Sequence, residues 1–149
     1  MKSIMVASLL VGLSSCVFAG GDIYVSNVAA YENSSNIQNT ILSECNLPEQ
    51  QVQLFEQEAS KQGFTVTKTE TEPKEGKYLK LSIVDAVSSG NAFLGHNKFV
   101  TVKGVLYENG VEVANFSDMR RSGGGAFGGF KGSCSVLGRC IGAISKRYC

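Results

Sequence analysis

The chain has 149 residues, 43% apolar and 18% charged, with two Pro, one His, five Cys, no Trp and a formal net charge of +1. That length excludes more than one ordinary domain. The apolar fraction excludes intrinsic disorder, the scarcity of proline excludes a collagen-like chain, and nothing in the composition points to a reaction.

Met1, Lys2 and Ser3 precede an apolar run over residues 4–13. A positive start followed by a short apolar stretch is the layout of a bacterial secretory signal. Ser14 and Ser15 interrupt the run before it reaches the length of about 20 residues that a membrane-spanning helix requires. Two processing sites compete. Val17-Phe18-Ala19 predicts a signal peptide over residues 1–19 and a mature domain over 20–149. Leu13-Ser14-Ser15-Cys16 is similar to a lipobox and predicts a signal over residues 1–15, with Cys16 acylated. The first route gives a periplasmic or secreted protein and the second an outer-membrane lipoprotein. Neither mature form carries a transmembrane span. Roughly 130 residues then remain, enough to bury about two thirds of the extended chain's surface.

Residues 23–31 mix β-branched and aromatic side chains and predict a first strand, followed by a polar loop over 32–36. Ile37, Ile41, Leu42 and Cys45 fall at helical spacing. A better helix starts at Asn46 as N-cap, has Pro48 in its first turn and Glu49 and Glu56 toward its start, buries Val52, Phe55 and Ala59, and stops at Gly63. Residues 64–67 alternate as a strand and residues 70–76 are a charged connection. Leu79, Leu81 and Ile83 form the inward row of the next strand, and residues 88–97 a small-residue loop. Residues 99–107 return to β alternation up to Asn109-Gly110, the strongest hairpin signal available, because both turn residues must take positive φ. With that pair at the centre, Leu106 faces Val113 and Lys103 faces Phe116, so Val100, Val102, Leu106 and Val113 form the buried row. After a glycine-rich connection over 123–132, Val136, Leu137, Cys140, Ile141, Ile144 and Tyr148 make a C-terminal helix. The reading is an α+β fold: an antiparallel or mixed sheet of four strands, in the order β-α-β-β-β-α, with helices packed on one face.

An oxidising compartment favours disulfides among Cys45, Cys134, Cys140 and Cys149. Cys134 and Cys140 are six residues apart on a helix and point to different sides, so one of them is expected to reach Cys45. Such a bridge closes a loop of about 90 residues, for which chain entropy gives about 4 to 5 kcal/mol as a ceiling. Cys-x5-Cys spacing with a single histidine is poor for zinc, and no metal or cofactor is expected. His96 in a Gly/Asn loop is weak support for a nucleophilic dyad, there is no Gly-x-Ser-x-Gly elbow, and the carboxylates are scattered. Residues 123–128 satisfy G-x-G-x-x-G. The following helix ends the chain and no acid comes after it, so the dinucleotide context is absent.

Charge is sharply segregated. All thirteen acids precede residue 119, while residues 119–149 carry Arg120, Arg121, Lys131, Arg139, Lys146 and Arg147 and no acid. The plain expectation is a basic tail folded onto an acidic body. The sharper one is an anionic partner outside the cytosol. Nucleic acid is disfavoured by export and by the lack of an aromatic platform. Gly138 and Gly142 give α-helical small-xxx-small spacing, read as close packing of the helix on the sheet.

The run from Arg121 through Gly123-Gly124-Gly125, Gly128-Gly129, Lys131-Gly132-Ser133-Cys134 to Arg139-Cys140 resembles the C-terminal signature of a family of short exported proteobacterial proteins. The resemblance extends back through the Asn109-Gly110 hairpin to the Cys45 helix; it implies export and brings no activity with it. The order of elements is also similar to small envelope-assembly domains of the TolB N-terminal and curli-secretion lipoprotein type, an analogy of architecture alone. The functional expectation is a non-enzymatic envelope domain that binds an envelope protein or anionic component through the glycine-rich loop and basic helix, with Arg120, Arg121, Lys131 and Arg139 as contacts. The alternatives are a secreted inhibitor of a hydrolase, plugging a foreign active site with the loop over 88–97, and a hydrolase using His96.

Overall fold

The computed structural model describes residues 21–91, 95–122 and 132–148. Strand β1 (Asp22–Ser26) and the short β2 (Ala30–Tyr31) lead through a 3-10 turn at Ser34–Asn36 into helices α1 (Asn39–Glu44) and α2 (Leu47–Lys61). Strands β3 (Thr65–Thr69), β4 (Lys77–Asn91), β5 (Gly95–Glu108) and β6 (Val111–Ser122) follow, and helix α3 (Ser133–Tyr148) completes the described chain. One mixed sheet runs β3-β1-β4-β5-β6, with β2 also paired to β4. β1 and β2 lie parallel to β4, β3 lies parallel to β1, and β4, β5 and β6 are antiparallel.

The sheet therefore has six strands rather than the expected four. One cause is a break in the first strand at residues 27–29, where the Asn27 N–H donates to the Thr69 carbonyl and the Ala29 N–H to the Pro48 carbonyl. Another is the arm after the Asn-Gly turn, which is a full strand. The small-residue stretch over 88–97 is also mostly ladder: Ser88 pairs with Lys98, Ser89 with Asn97 and Asn91 with Gly95. Backbone pairing satisfies these N–H and C=O groups whatever the side chains, so small residues did not make a loop.

Helix α2 begins as the sequence suggests, with Pro48 and Glu49 in its first turn and Lys61 in its last, and the chain leaves it through Gly63 at φ +84. Asn46 does not cap it; its amide instead donates to the Glu49 carboxylate. One face of the sheet packs beneath the helices. Val25, Leu79, Leu81, Ile83, Val100 and Val102 are buried there against Leu47, Val52, Phe55 and Ala59 of α2 and Val136, Leu137, Ile141 and Ile144 of α3. Phe116 of β6 borders both halves of this core.

On the opposite face, the β3–β4 connection returns past Tyr24. Gly76 sits there at φ +86, and a Cβ added to it would lie 3.5 Å from the Tyr24 ring. Tyr24, Tyr78 and Tyr107 are register neighbours across three strands, the last two with ring centroids 6.5 Å apart. The Asn109 side-chain oxygen accepts from the Gly76 N–H at 2.9 Å, tying the hairpin turn to that connection.

The turn itself has Asn109 at φ 52 and Gly110 at φ 80, the double positive φ expected of it. The pairing beyond it is not as expected. Tyr107 faces Glu112, but Leu106 faces Ala114 and Gly104 faces Phe116, so a bulge at Val113 shifts the register by one. Val113 is 52% exposed instead of buried. The shift sets the Phe116 ring directly over Gly104, where an added Cβ would stand 2.2 Å from a ring carbon.

Cys45, at the end of α1, is bonded to Cys134 in the first turn of α3, with Cα atoms 5.1 Å apart. This resolves the alternative in favour of Cys134, leaving Cys140 free and buried. Cys149 lies outside the described residues, as do Cys16 and the whole leader over residues 1–19.

Two stability measurements follow. Gly104→Ala should lower unfolding free energy by about 1 to 3 kcal/mol in urea titration, because the Phe116 ring must leave its seat; an unchanged midpoint would show that the ring adapts freely. Replacing Cys45 and Cys134 together by Ser should lower it by up to about 4 to 5 kcal/mol, and reductant should destabilise the parent but not the variant.

Candidate functional site

Helix α3 buries Val136, Leu137, Cys140, Ile141 and Ile144 and exposes Ser135, Arg139 and Lys146, which share a stripe on its solvent side. Arg139 stands at a groove of about 410 Å³ between α2 and α3. Gln50, Gln53 and Gln57 form the α2 wall, with Ser135 and Arg139 opposite and Gly138 and Gly142 between them. The lining holds one charged residue, Arg139, and no acid. The acids of α2 lie elsewhere: Glu49 accepts from the Asn46 amide, Glu56 pairs with Lys68 at 2.8 Å and Glu58 with Lys61 at 2.6 Å.

Gly138 and Gly142 pack against α2, not the sheet. A Cβ on Gly138 would meet the Gln50 side-chain oxygen, and one on Gly142 would lie 3.5 Å from Leu54. The small residues thus set the depth of the interhelical groove, a helix-to-helix role in place of the expected helix-to-sheet one.

Among the described residues, the expected contact residues Arg120, Arg121 and Arg139 do not all share one face. Arg139 lines the groove. Arg120 and Arg139 both act electrostatically on Cys140, which places Arg120 on the helix-covered side of β6. Arg121, the next residue on the strand, points to the opposite face and stacks over Phe99 at 5.9 Å from the ring centroid. Lys131 and the glycine-rich run over 123–131 lie outside the described residues. The folded-back tail is present at one point among the described residues, where Arg147 donates to Asp118 at 2.6 Å.

The loop required by the inhibitor reading shrinks, since residues 88–91 and 95–97 belong to β4 and β5 and residues 92–94 lie outside the described residues. His96 falls in β5. Among the described residues, no group of three or more His, Cys, Asp or Glu is placed to hold a metal, and no helix is long and apolar enough to cross a membrane.

Sequence reasoning missed an apolar pocket of about 250 Å³ at the turn end of the sheet, lined chiefly by Ile23, Phe55, Leu79, Leu106 and Phe116. Gly104 also lines it and was its one signal, because glycine inside a strand marks a close approach.

No family model and no curated protein matches the chain. Among solved structures it is similar to PelC from Paraburkholderia phytofirmans, solved as a dodecamer, with 14% identity over 86% of each chain and a TM-score of 0.52. It is likewise similar to lipoprotein GNA1162 from Neisseria meningitidis, with 13% identity over 86% of this chain and 97% of that one and a TM-score of 0.55. At these identities the likeness shows a shared fold.

Burial pushes the Cys140 thiol above its ordinary 9.0, against the pull of Arg120 and Arg139. Burial also raises Tyr31 and Tyr78 above 10.0. A native pKa above the unfolded one means that the folded chain holds its proton more tightly. The stabilisation is then complete below the unfolded value and disappears as pH rises through the native one. Urea-unfolding free energy should therefore be level near neutrality and fall above about pH 9, and Cys140→Ala should show a shallower fall over pH 9 to 10. Equal slopes would exclude the thiol as a source.

Proposed function

We propose that this chain is an exported, non-enzymatic protein of the cell envelope that binds another envelope component, a protein segment or surface bearing anionic groups, through its basic C-terminal helix. The observation that carries this reading is Arg139 in a groove whose lining contains no acid, with Lys146 exposed further along the same stripe of the helix. A guanidinium and an ammonium with no acid in that lining attract carboxylate or phosphate, while the glutamine amides and Ser135 hydroxyl offer neutral donors and acceptors along the same path. The glycine-rich run and Lys131, which lead into α3 in sequence, belong to the same binding element, and Arg120 supplies positive potential on the helix-covered side of β6.

Export is supported by the leader over residues 1–19, by the disulfide between Cys45 and Cys134, which suits an oxidising compartment, and by the fold shared with GNA1162, itself described as a lipoprotein. The alternative signal over residues 1–15 would add an acyl anchor at Cys16. The resemblance of the segment from Arg121 to Cys140 to a family of short exported proteobacterial proteins agrees with the same location.

The test is co-sedimentation of the purified mature protein with isolated envelope fractions at low and high salt. Retention should be strong at low salt and weak at high salt, and Arg139→Glu with Lys146→Glu should weaken it about tenfold or more. Retention that ignores both salt and the charge reversals would refute a binding role for this helix.

A further inference from the structure

We infer that β6 is the docking edge for a second copy of this chain, the two β6 strands pairing antiparallel about a two-fold axis. In the sheet order β3-β1-β4-β5-β6, β6 is a terminal strand. Among the described residues it pairs with β5 and with no other strand, so the backbone groups on its far side meet no strand. Its 12 residues offer a contact about 40 Å long. The other edge, β3, has 5 residues and is flanked by the Lys68–Glu56 ion pair.

Charge along β6 identifies the occupant. Glu112 is the register partner of Tyr107 and Arg121 that of Phe99, and both partners lie on the face of β5 opposite buried Val100 and Val102. Glu112 and Arg121 therefore share the outer face near opposite ends of one strand. Parallel pairing of two copies would set Glu112 against Glu112 and Arg121 against Arg121. Antiparallel pairing brings the Glu112 end of each copy to the Arg121 end of the other, twice by symmetry. The outer-face residues between them, Asn115, Ser117 and Met119, are uncharged. Val111, Val113 and Met119 are 65%, 52% and 50% exposed, apolar surface that the same contact would cover. The bulge at Val113 sits at the turn end, leaving the stretch beyond it regular for pairing.

This surface is separate from the groove at Arg139, so either proposal can fail alone. The experiment is sedimentation velocity of the purified mature protein over a concentration series, with circular dichroism to verify the fold. The parent should form a dimer. Glu112→Arg and Arg121→Glu, each replacing two attractive contacts by two repulsive ones, should each weaken it by about tenfold or more, and the two together should restore it. Should the single variants unfold, amide hydrogen exchange of the parent decides: protection of β6 that rises with protein concentration supports the pairing, and concentration-independent exchange overturns it. A monomer at every concentration, a dimer indifferent to both reversals, a double variant that stays monomeric, or an assembly larger than two would each overturn it.

Discussion

The rest of the structure depends on the seating of α3 against the inner face of β5 and β6. That helix contributes Leu137, Ile141 and Ile144 to the core at 1% exposure or less, and it shares them with Ile83, Val100 and Val102 of the sheet and with Ile37 and Ile41 from the other end of the chain. Each partner would otherwise hold apolar side chains in water, at about 25 cal/mol for every Å² exposed. The disulfide from Cys45 to Cys134 fastens the first turn of α3 to the end of α1, and Arg147 on Asp118 holds its last turn to β6. Because both ends of the helix are tied, its rotation about its own axis is set, and with it the direction in which its charged residues point.

That orientation converts a sequence asymmetry into a surface. Six cations in a tail without acids could have been neutralised by the acidic body, and Arg147 is, by Asp118. Arg139 and Lys146 lie on the side that the core does not use, Arg139 facing the glutamines of α2. The core requirement at Val136, Leu137, Cys140 and Ile144 leaves those positions no other place. The same logic separates Arg120 from Arg121. Adjacent residues on a strand face opposite sides, so one lies on the helix-covered side near Cys140 and the other stacks on Phe99 at the outer face.

Much of the fold was legible where a local rule acts within a few residues. The face of α2 from Val52 to Ala59, its end at Gly63, the Asn109-Gly110 turn and the inward face of α3 each follow from periodicity or from a φ that few residues tolerate. The site was legible in part: the basic helix could be read, but its groove could not, since Gln50, Gln53 and Gln57 are unremarkable until α3 lies beside them. The bulge at Val113 was invisible because turn chemistry sets register only at the turn. Beyond it, the register follows the fit of Phe116 over Gly104, two residues brought together by pairing and not by spacing.

By itself the sequence determined the class of fold, the helix and turn positions, the export leader as an expectation and the concentration of positive charge at the C-terminus, all of them properties of neighbours along the chain. Tertiary structure alone decided that six strands share one sheet, that Cys134 rather than Cys140 meets Cys45, and that α2 walls the groove at Arg139. These are meetings of residues far apart in sequence, selected by which set of apolar faces can be buried together, and no local pattern encodes that choice.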